Sequence, residues 1–407
     1  MAEPMVPPTA GLPLIASDLR PWGSADLGNA LAQWLGVPAV QLECSGTSAL
    51  MVALAALKRL APARSEVVIP AYTCPLVPLA IAASGLQVRL CDLRPDAPDM
   101  DAEQLRALCS ERTLAVLPTH LCGRVADVAA ALDCARAVGA YVIEDAAQAL
   151  GARVHGEPVG WQGDIGFYSL AVGKGLTTFE GGVLLARDAG LRAALQQANR
   201  STVRASLAWE LRRSAELLGY ALLYRPRRLG LAYGRPLRAA LAQGDWVQAA
   251  GDDFAGTIPR HTLGAWRRRV GRRALHRLKR FQARLASQAQ KRMARLAAIP
   301  GLEPVGDFVP GTRGVWPVLL LRLPSPGARD ALMHAHWGAG LGLSLPFVHA
   351  LPDYGRYGHV LAAARHDRVT QARDWAARLV AISNSPWLDE LRFARLLQIL
   401  QLSALDG

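Results

Sequence analysis

The sequence predicts an α/β protein with a mostly parallel central sheet flanked by helices, followed by a smaller C-terminal α+β domain. Three observations lead there. The chain has 407 residues, 51% of them apolar, enough for two or three domains with cores of their own and too many for a chain that stays unfolded. Between Ala39 and Leu185 short apolar runs alternate with amphipathic stretches, the pattern of crossover units in a parallel sheet. Beyond Gly301 strand-like and helix-like stretches return after a long region without strand signals.

In order along the chain, Ala39–Leu42, Glu66–Pro70, Gln87–Leu90, Thr113–Pro118 and Tyr141–Ile143 are expected to be strands. Helices should start near Thr47, Thr73, Asp101 and Asp127. From Arg187 to about Arg292 the sequence is Arg-studded and helical, with Leu207, Leu211, Leu218 and Leu222 on one face and Arg225-Pro226 ending that helix. In the last part Val315–Leu321 reads as a strand, Gly327–Gly338 as a helix and Leu341–Pro346 as a short extended piece. Arg373–Ile382 and Asp389–Leu402 read as helices. The domain plan is thus an N-terminal segment at 1–37, a large domain at 38–260 with an Arg-rich helical insertion at 187–260, and a helical linker with the small domain at 261–407.

Composition excludes several classes. No run reaches the roughly 18 to 20 uninterrupted apolar residues of a helical membrane span. The start, Met1–Leu14, is Pro-rich and lacks a basic region followed by a long apolar run, so no signal peptide is expected and the cytoplasm is the expected compartment. The six cysteines show no ligand spacing and sit beside apolar runs, so neither a disulfide framework nor a metal site is expected. Basic residues exceed acidic ones by 46 − 33 = 13, without any nucleic-acid recognition motif. Lysine occurs only at positions 58, 174, 279 and 291. In a chain that otherwise uses arginine, a retained lysine points to chemistry a guanidinium cannot do: losing a proton and attacking a carbonyl.

Three segments carry chemistry. Ser45-Gly46-Thr47-Ser48 joins a strand to a helix through small residues, which either cap the helix or cradle an anion on its free N–H groups. Glu144-Asp145 follows a buried-type strand, where an acid either caps the next turn or needs a cationic partner such as a protonated heterocyclic nitrogen. Gln148, three residues on, falls on the same side if a helical turn follows. Ser169 ends a strand, and Gly173-Lys174-Gly175 lifts a lysine from an apolar, glycine-rich turn. A phosphate cradle, an acid for a ring nitrogen and an amine for an aldehyde are together what pyridoxal 5'-phosphate requires.

In order and spacing, the chain resembles the DegT/StrS-type (DnrJ-like) sugar aminotransferases, pyridoxal-phosphate enzymes of fold type I, the aspartate aminotransferase-like fold. Ser45–Leu50 is similar to their phosphate loop, Pro70-Ala71-Tyr72-Thr73 to "PxxT", and His120-Leu121-Cys122-Gly123 to "HLYG". Glu144–Ala149 with Gly151-Ala152 is similar to "EDAAQAxGA", Ser169–Lys174 to "SxxxxK", and Ser344-Leu345-Pro346 to a substrate-side loop. The resemblance implies Lys174 as Schiff-base lysine and proton shuttle and Asp145 on the pyridine nitrogen. It places Gln148 near the ring hydroxyl and Gly46, Thr47 and Ser169 on the phosphate. It also implies a homodimer and a ping-pong transfer from an amino acid, usually glutamate, to a nucleotide-linked keto sugar.

There are departures. Cys74 stands where the family stacks an aromatic residue on the ring, with Tyr72 or His120 as substitutes or as substrate contacts, and Cys122 and Phe179 replace a tyrosine and a glycine. The segment whose Asn reaches the partner subunit's phosphate falls at Ile258-Pro259-Arg260, where Arg260 could take over. The 187–260 stretch is longer and more basic than the resemblance implies, fitting either subunit packing or a membrane surface, the latter with a peripheral seat at the inner membrane face. Two rivals stand beside the sugar aminotransferase: the same cofactor with a lipid-linked or other non-sugar carbonyl, and a non-catalytic regulatory or binding protein retaining the fold.

Overall fold

The computed structural model describes residues 4–254 and 256–405. Its centre is a seven-stranded sheet in the spatial order Gln41–Glu43, Gly182–Ala186, Ile165–Ser169, Tyr141–Asp145, Thr113–Val116, Glu66–Pro70 and Gln87–Cys91. Gly182–Ala186 alone runs against its neighbours, and the others share one direction. The short apolar runs of the sequence are these strands because both faces are covered; every residue of Glu66–Pro70, Thr113–Val116 and Ile165–Ser169 is buried. Asp101 and Asp127 cap the helices Ala102–Leu108 and Val128–Ala137 by accepting from the N–H groups of Gln104 and Ala130.

A 33-residue helix, Ala265–Ala297, about 50 Å long at 1.5 Å per residue, leads to a second, fully antiparallel sheet. Its order is Glu303–Val305, Val318–Arg322, Leu379–Ser383 and Leu343–Ser344. One sequence reading is corrected here. The expected helix Arg373–Ile382 is a helix only over Thr370–Arg378; Leu379–Ser383 is the inner strand that pairs with both neighbours. A short apolar run buried on both faces carries no period by which to tell strand from helix. The hairpin Arg153–Val154/Glu157–Pro158, with His155 in the left-handed region, had no reading in the sequence.

The insertion folds as helices Ala189–Thr202, Leu207–Leu223, Pro226–Leu229, Arg235–Ala242 and Trp246–Ala250, with one π turn at Gly230–Gly234. It meets the N-terminal segment, which is a strap threaded between three parts of the molecule. Met5 N–H donates to Pro226 O at 2.8 Å, Ala10 N–H to Pro317 O at 2.9 Å, and Leu12 N–H to Gly175 O at 2.8 Å. Among the described residues no helix is long and apolar enough to cross a membrane.

Candidate active site

The parallel strands all end at one edge of the large sheet, and the loops there enclose a cavity of about 490 Å³. Eight sequence-predicted residues line it: Gly46, Thr47, Cys74, His120, Asp145, Gln148, Ser169 and Lys174. The small domain contributes Ser344–Phe347 and the strap contributes Pro8 and Thr9.

The anion cradle forms because Ser45 leaves the strand in extended conformation and caps helix Gly46–Leu60, its Oγ accepting from Ser48 N–H at 3.0 Å. Among the described residues nothing accepts from Gly46 or Thr47 N–H, and both groups lie at the positive end of the helix. Ser169 stands opposite: a Cβ on Gly46 would come within 3.0 Å of the Ser169 Cβ, so glycine keeps the cradle open.

Glu144 and Asp145, adjacent on one strand, point to opposite sides of the sheet and do different work. Glu144 Oε1 accepts from Gly163 N–H at 2.6 Å, and its Oε2 accepts from Gly160 N–H at 2.6 Å and lies 3.1 Å from His120 Nε2. This acid is a strut under the site. Asp145 lines the cavity, and its side chain accepts only one hydrogen bond among the described residues, from Ala147 N–H at 3.0 Å. Burial pushes its carboxyl up, opposed by that N–H and by the positive charge of Lys174. Such an acid lacks a partner, and the buried hydroxyl oxygens of Thr73 and Thr119, also in the lining, lack one too. A cradle, an under-satisfied acid and two unpaired hydroxyls in one cavity fit a flat heterocycle carrying a phosphate.

Lys174 sits between Gly173 at φ +80° and Gly175 at φ +88°, two left-handed positions that turn the chain sharply around it. Its charge is felt by Cys74, Cys122, Asp145 and Asp252. Burial pushes the Cys74 thiol up to about 12 and the Cys122 thiol to about 11, so both are neutral surfaces in the cavity wall. Gln148 lines the cavity while its Oε1 accepts from Cys122 N–H at 2.6 Å, holding Cys122 in the left-handed region at φ +52°.

Three expected substrate contacts are placed elsewhere or otherwise engaged. Tyr72 is buried outside the lining; its hydroxyl donates to Phe347 O at 3.0 Å and so ties the large domain to the small-domain loop. His120 touches the cavity, but its Nδ1 accepts from Ala126 N–H at 3.1 Å and its Nε2 faces Glu144, so both ring nitrogens serve the protein. Arg260 is exposed and does not line the cavity of its own chain. One residue was missed: Asp252, at the end of the insertion, is buried in the cavity wall. Its Oδ2 accepts from Val348 N–H at 2.9 Å and from the Tyr354 hydroxyl, and burial pushes its carboxyl up. An acid after five insertion helices gives no sequence signal of where the chain returns.

Residues 24–221 match the DegT/DnrJ/EryC1/StrS aminotransferase family. The chain is similar to GDP-perosamine synthase of Caulobacter vibrioides, 35% identical over 167 residues, 41% of this chain and 44% of that protein. It is also 38% identical over 157 residues to UDP-N-acetyl-3-dehydro-alpha-D-glucosamine 3-aminotransferase of Acidithiobacillus ferrooxidans, 37% of this chain and 41% of that one. A third match, L-glutamine:2-deoxy-scyllo-inosose aminotransferase of Streptomyces fradiae, is 36% identical over 40% of this chain and 38% of its own length. The chain thus spans about two fifths of the length of the curated relatives it matches. Among solved structures, the sugar aminotransferase CalS13 of Micromonospora echinospora superposes with TM-score 0.73 at 22% identity, covering 98% of this chain and all of that one. DesI, crystallised in the presence of its TDP-sugar product, gives 0.74 at 19% identity over 99% of this chain and 94% of its own. These likenesses establish the fold type that the sequence predicted.

Proposed function

We propose that this chain, which carries a DegT/DnrJ/EryC1/StrS aminotransferase family domain at 24–221, is a pyridoxal-phosphate-dependent aminotransferase acting on a nucleotide-linked keto sugar. The observation that carries the reading is Lys174, raised between two left-handed glycines into the cavity that also holds Asp145 and the Gly46–Thr47 cradle. Gly46, Thr47 and Ser169 would hold the phosphate, Asp145 the ring nitrogen, and Cys74 and Gln148 the ring's surroundings. When bound, the cofactor supplies an electron sink for the carbon that loses its proton.

The chain's own residues do the rest. Lys174 Nζ takes the proton from the donor's carbon and returns it at the acceptor, its reach fixed by the glycine turn. Asp145 stays ionised because a cation opposite it lowers the cost that burial imposes, so the ring nitrogen keeps its proton. The Glu144–His120 strut keeps the loops on either side of Asp145 in place, and the strap and Ser344–Phe347 exclude water from the cavity. Glutamate is the proposed donor in a ping-pong cycle. A homodimer is part of the proposal: exposed Arg260 is free to reach the partner's site, as its family position implies.

The test is two half-reactions on purified protein. Glutamate should convert the bound cofactor to its amine form, and a panel of keto-sugar nucleotides should convert it back. Turnover by no keto sugar, with turnover by a lipid-linked or other non-sugar carbonyl, would move the reading to the second acceptor class. No reaction with any donor would leave a regulatory protein.

A further inference from the structure

Helix Leu207–Leu223 carries its leucines on the side away from the protein. At 100° per residue, Leu207, Leu211, Leu218 and Leu222 lie within about 60° of arc, and they are 74%, 62%, 44% and 58% exposed. Ala208 and Ala215, on the same side, are exposed as well, while Leu217 and Tyr220 face inward. With Leu223 and Leu231, this short stretch supplies six of the twelve exposed large apolar side chains among the described residues. A face of this kind is a contact surface.

Its charge selects the partner. Between Val203 and Gly244 there are eight arginines and two acids. Both acids are taken: Glu210 pairs with buried Arg267 at 2.6 Å, and Glu216 with Arg212 and Arg213 at 3.1 and 2.7 Å. Among the described residues no carboxylate lies within salt-bridge distance of Arg225, Arg227 or Arg228. These three arginines and Arg392 rim a second cavity of about 780 Å³, floored by Leu14, Leu19 and Leu222. Asp389 already pairs with Arg392 at 2.5 Å, so a two-fold contact centred on this face would bring the unpaired Arg225, Arg227 and Arg228 of both copies together. We propose instead that the face seats the protein on an anionic phospholipid surface. The roughly 25 Å helix lies in the interface plane, its leucines in the acyl boundary and the arginines on lipid phosphates. The inference concerns the outer face alone and stands independently of the chemistry at Lys174.

The experiment is co-sedimentation of the full chain with vesicles of phosphatidylcholine alone or with about 30% phosphatidylglycerol, at low and high salt. Wild type should pellet with the anionic vesicles and be released by salt. Leu211→Gln/Leu218→Gln, at exposed positions, should lower the partition coefficient at least tenfold. Arg227→Gln/Arg228→Gln should lower it roughly 30-fold on anionic vesicles, at about a kcal/mol per arginine. Unchanged melting temperature and cofactor spectrum in both variants are expected. No wild-type binding at low salt would overturn the inference, as would variants that bind like wild type. So would a Leu211→Gln/Leu218→Gln chain that passes from dimer to monomer in sedimentation, because the face would then be a subunit interface.

Discussion

Replacing Glu43 by glutamine should raise the stability of the protein above neutral pH and leave it unchanged in acid. Glu43 ends the first strand of the large sheet, two residues before the Ser45 cap, and is 1% exposed. Its Oε1 accepts from Gln41 Nε2 at 2.7 Å and from Asn199 Nδ2 at 2.8 Å, and its Oε2 is buried without a partner among the described residues. Burial outweighs those two amide donors and pushes the carboxyl from 4.5 up to about 7. The folded protein therefore holds a proton there that the unfolded chain gives up. Stability from this site is fully present below about pH 4.5 and is lost as pH rises through about 7. At about 1.4 kcal/mol per pH unit, the loss is about 3 kcal/mol. Glutamine keeps the shape and the neutral charge at every pH. Thermal melts of wild type and Glu43→Gln at pH 5, 6.5 and 8 should coincide at the acid end and separate by several degrees at pH 8, the variant melting higher. Parallel curves across the range, or a variant less stable at pH 8, would refute the account of this site.

The other predictions concern the cavity. Asp145→Asn should stabilise the cofactor-free protein at pH 8, because a carboxylate whose charge burial disfavours is removed, and should weaken cofactor binding at least tenfold in a fluorescence titration. Gly46→Ala should leave the melting temperature of the cofactor-free chain within a few degrees and reduce phosphate and cofactor affinity at least tenfold, since the added methyl meets Ser169 in the cradle. Glu144→Ala should cost about 3 to 5 kcal/mol in chemical unfolding, because two N–H groups and the His120 ring lose their acceptor in a dry interior. Asp252→Asn keeps the Tyr354 and Val348 contacts and should change KM for the acceptor roughly tenfold while leaving the donor half-reaction within about threefold; equal losses in both half-reactions would place Asp252 against the cofactor instead.

The large domain was legible because each strand combines a short apolar run with a loop whose residues have their own chemistry. Glu66–Pro70 and Tyr141–Asp145 are bounded by turn signals, and Asp101 and Asp127 announce the helices they cap. The candidate site was legible for the same reason: Asp145 and Ser169 end strands, and Gly46 and Lys174 follow strand ends, that a parallel sheet brings to one edge. What was lost depended on contacts distant in sequence. Leu379–Ser383 looks like the end of the preceding helix until Val318–Arg322 and Leu343–Ser344 pair with it. Tyr72 and His120 have the right chemistry for ligand contacts, yet Phe347 in one case and Glu144 with Ala126 in the other already use their polar atoms. Asp252 reaches the cavity only because the insertion helices and the strap fold the chain back, and nothing local encodes that return. The leucine spacing of 207–222 was visible, but not its direction, since a helical stripe is equally compatible with a core and with an outward contact.

The central claim, that the Lys174 amine carries pyridoxal phosphate, is tested most directly by reducing the purified protein with borohydride and mapping its peptides by mass spectrometry. The account predicts a single phosphopyridoxyl group on Nζ of Lys174, absent from Lys174→Ala. An adduct on Lys58, Lys279 or Lys291 in its place, or none on a protein fully exposed to the cofactor, would contradict it.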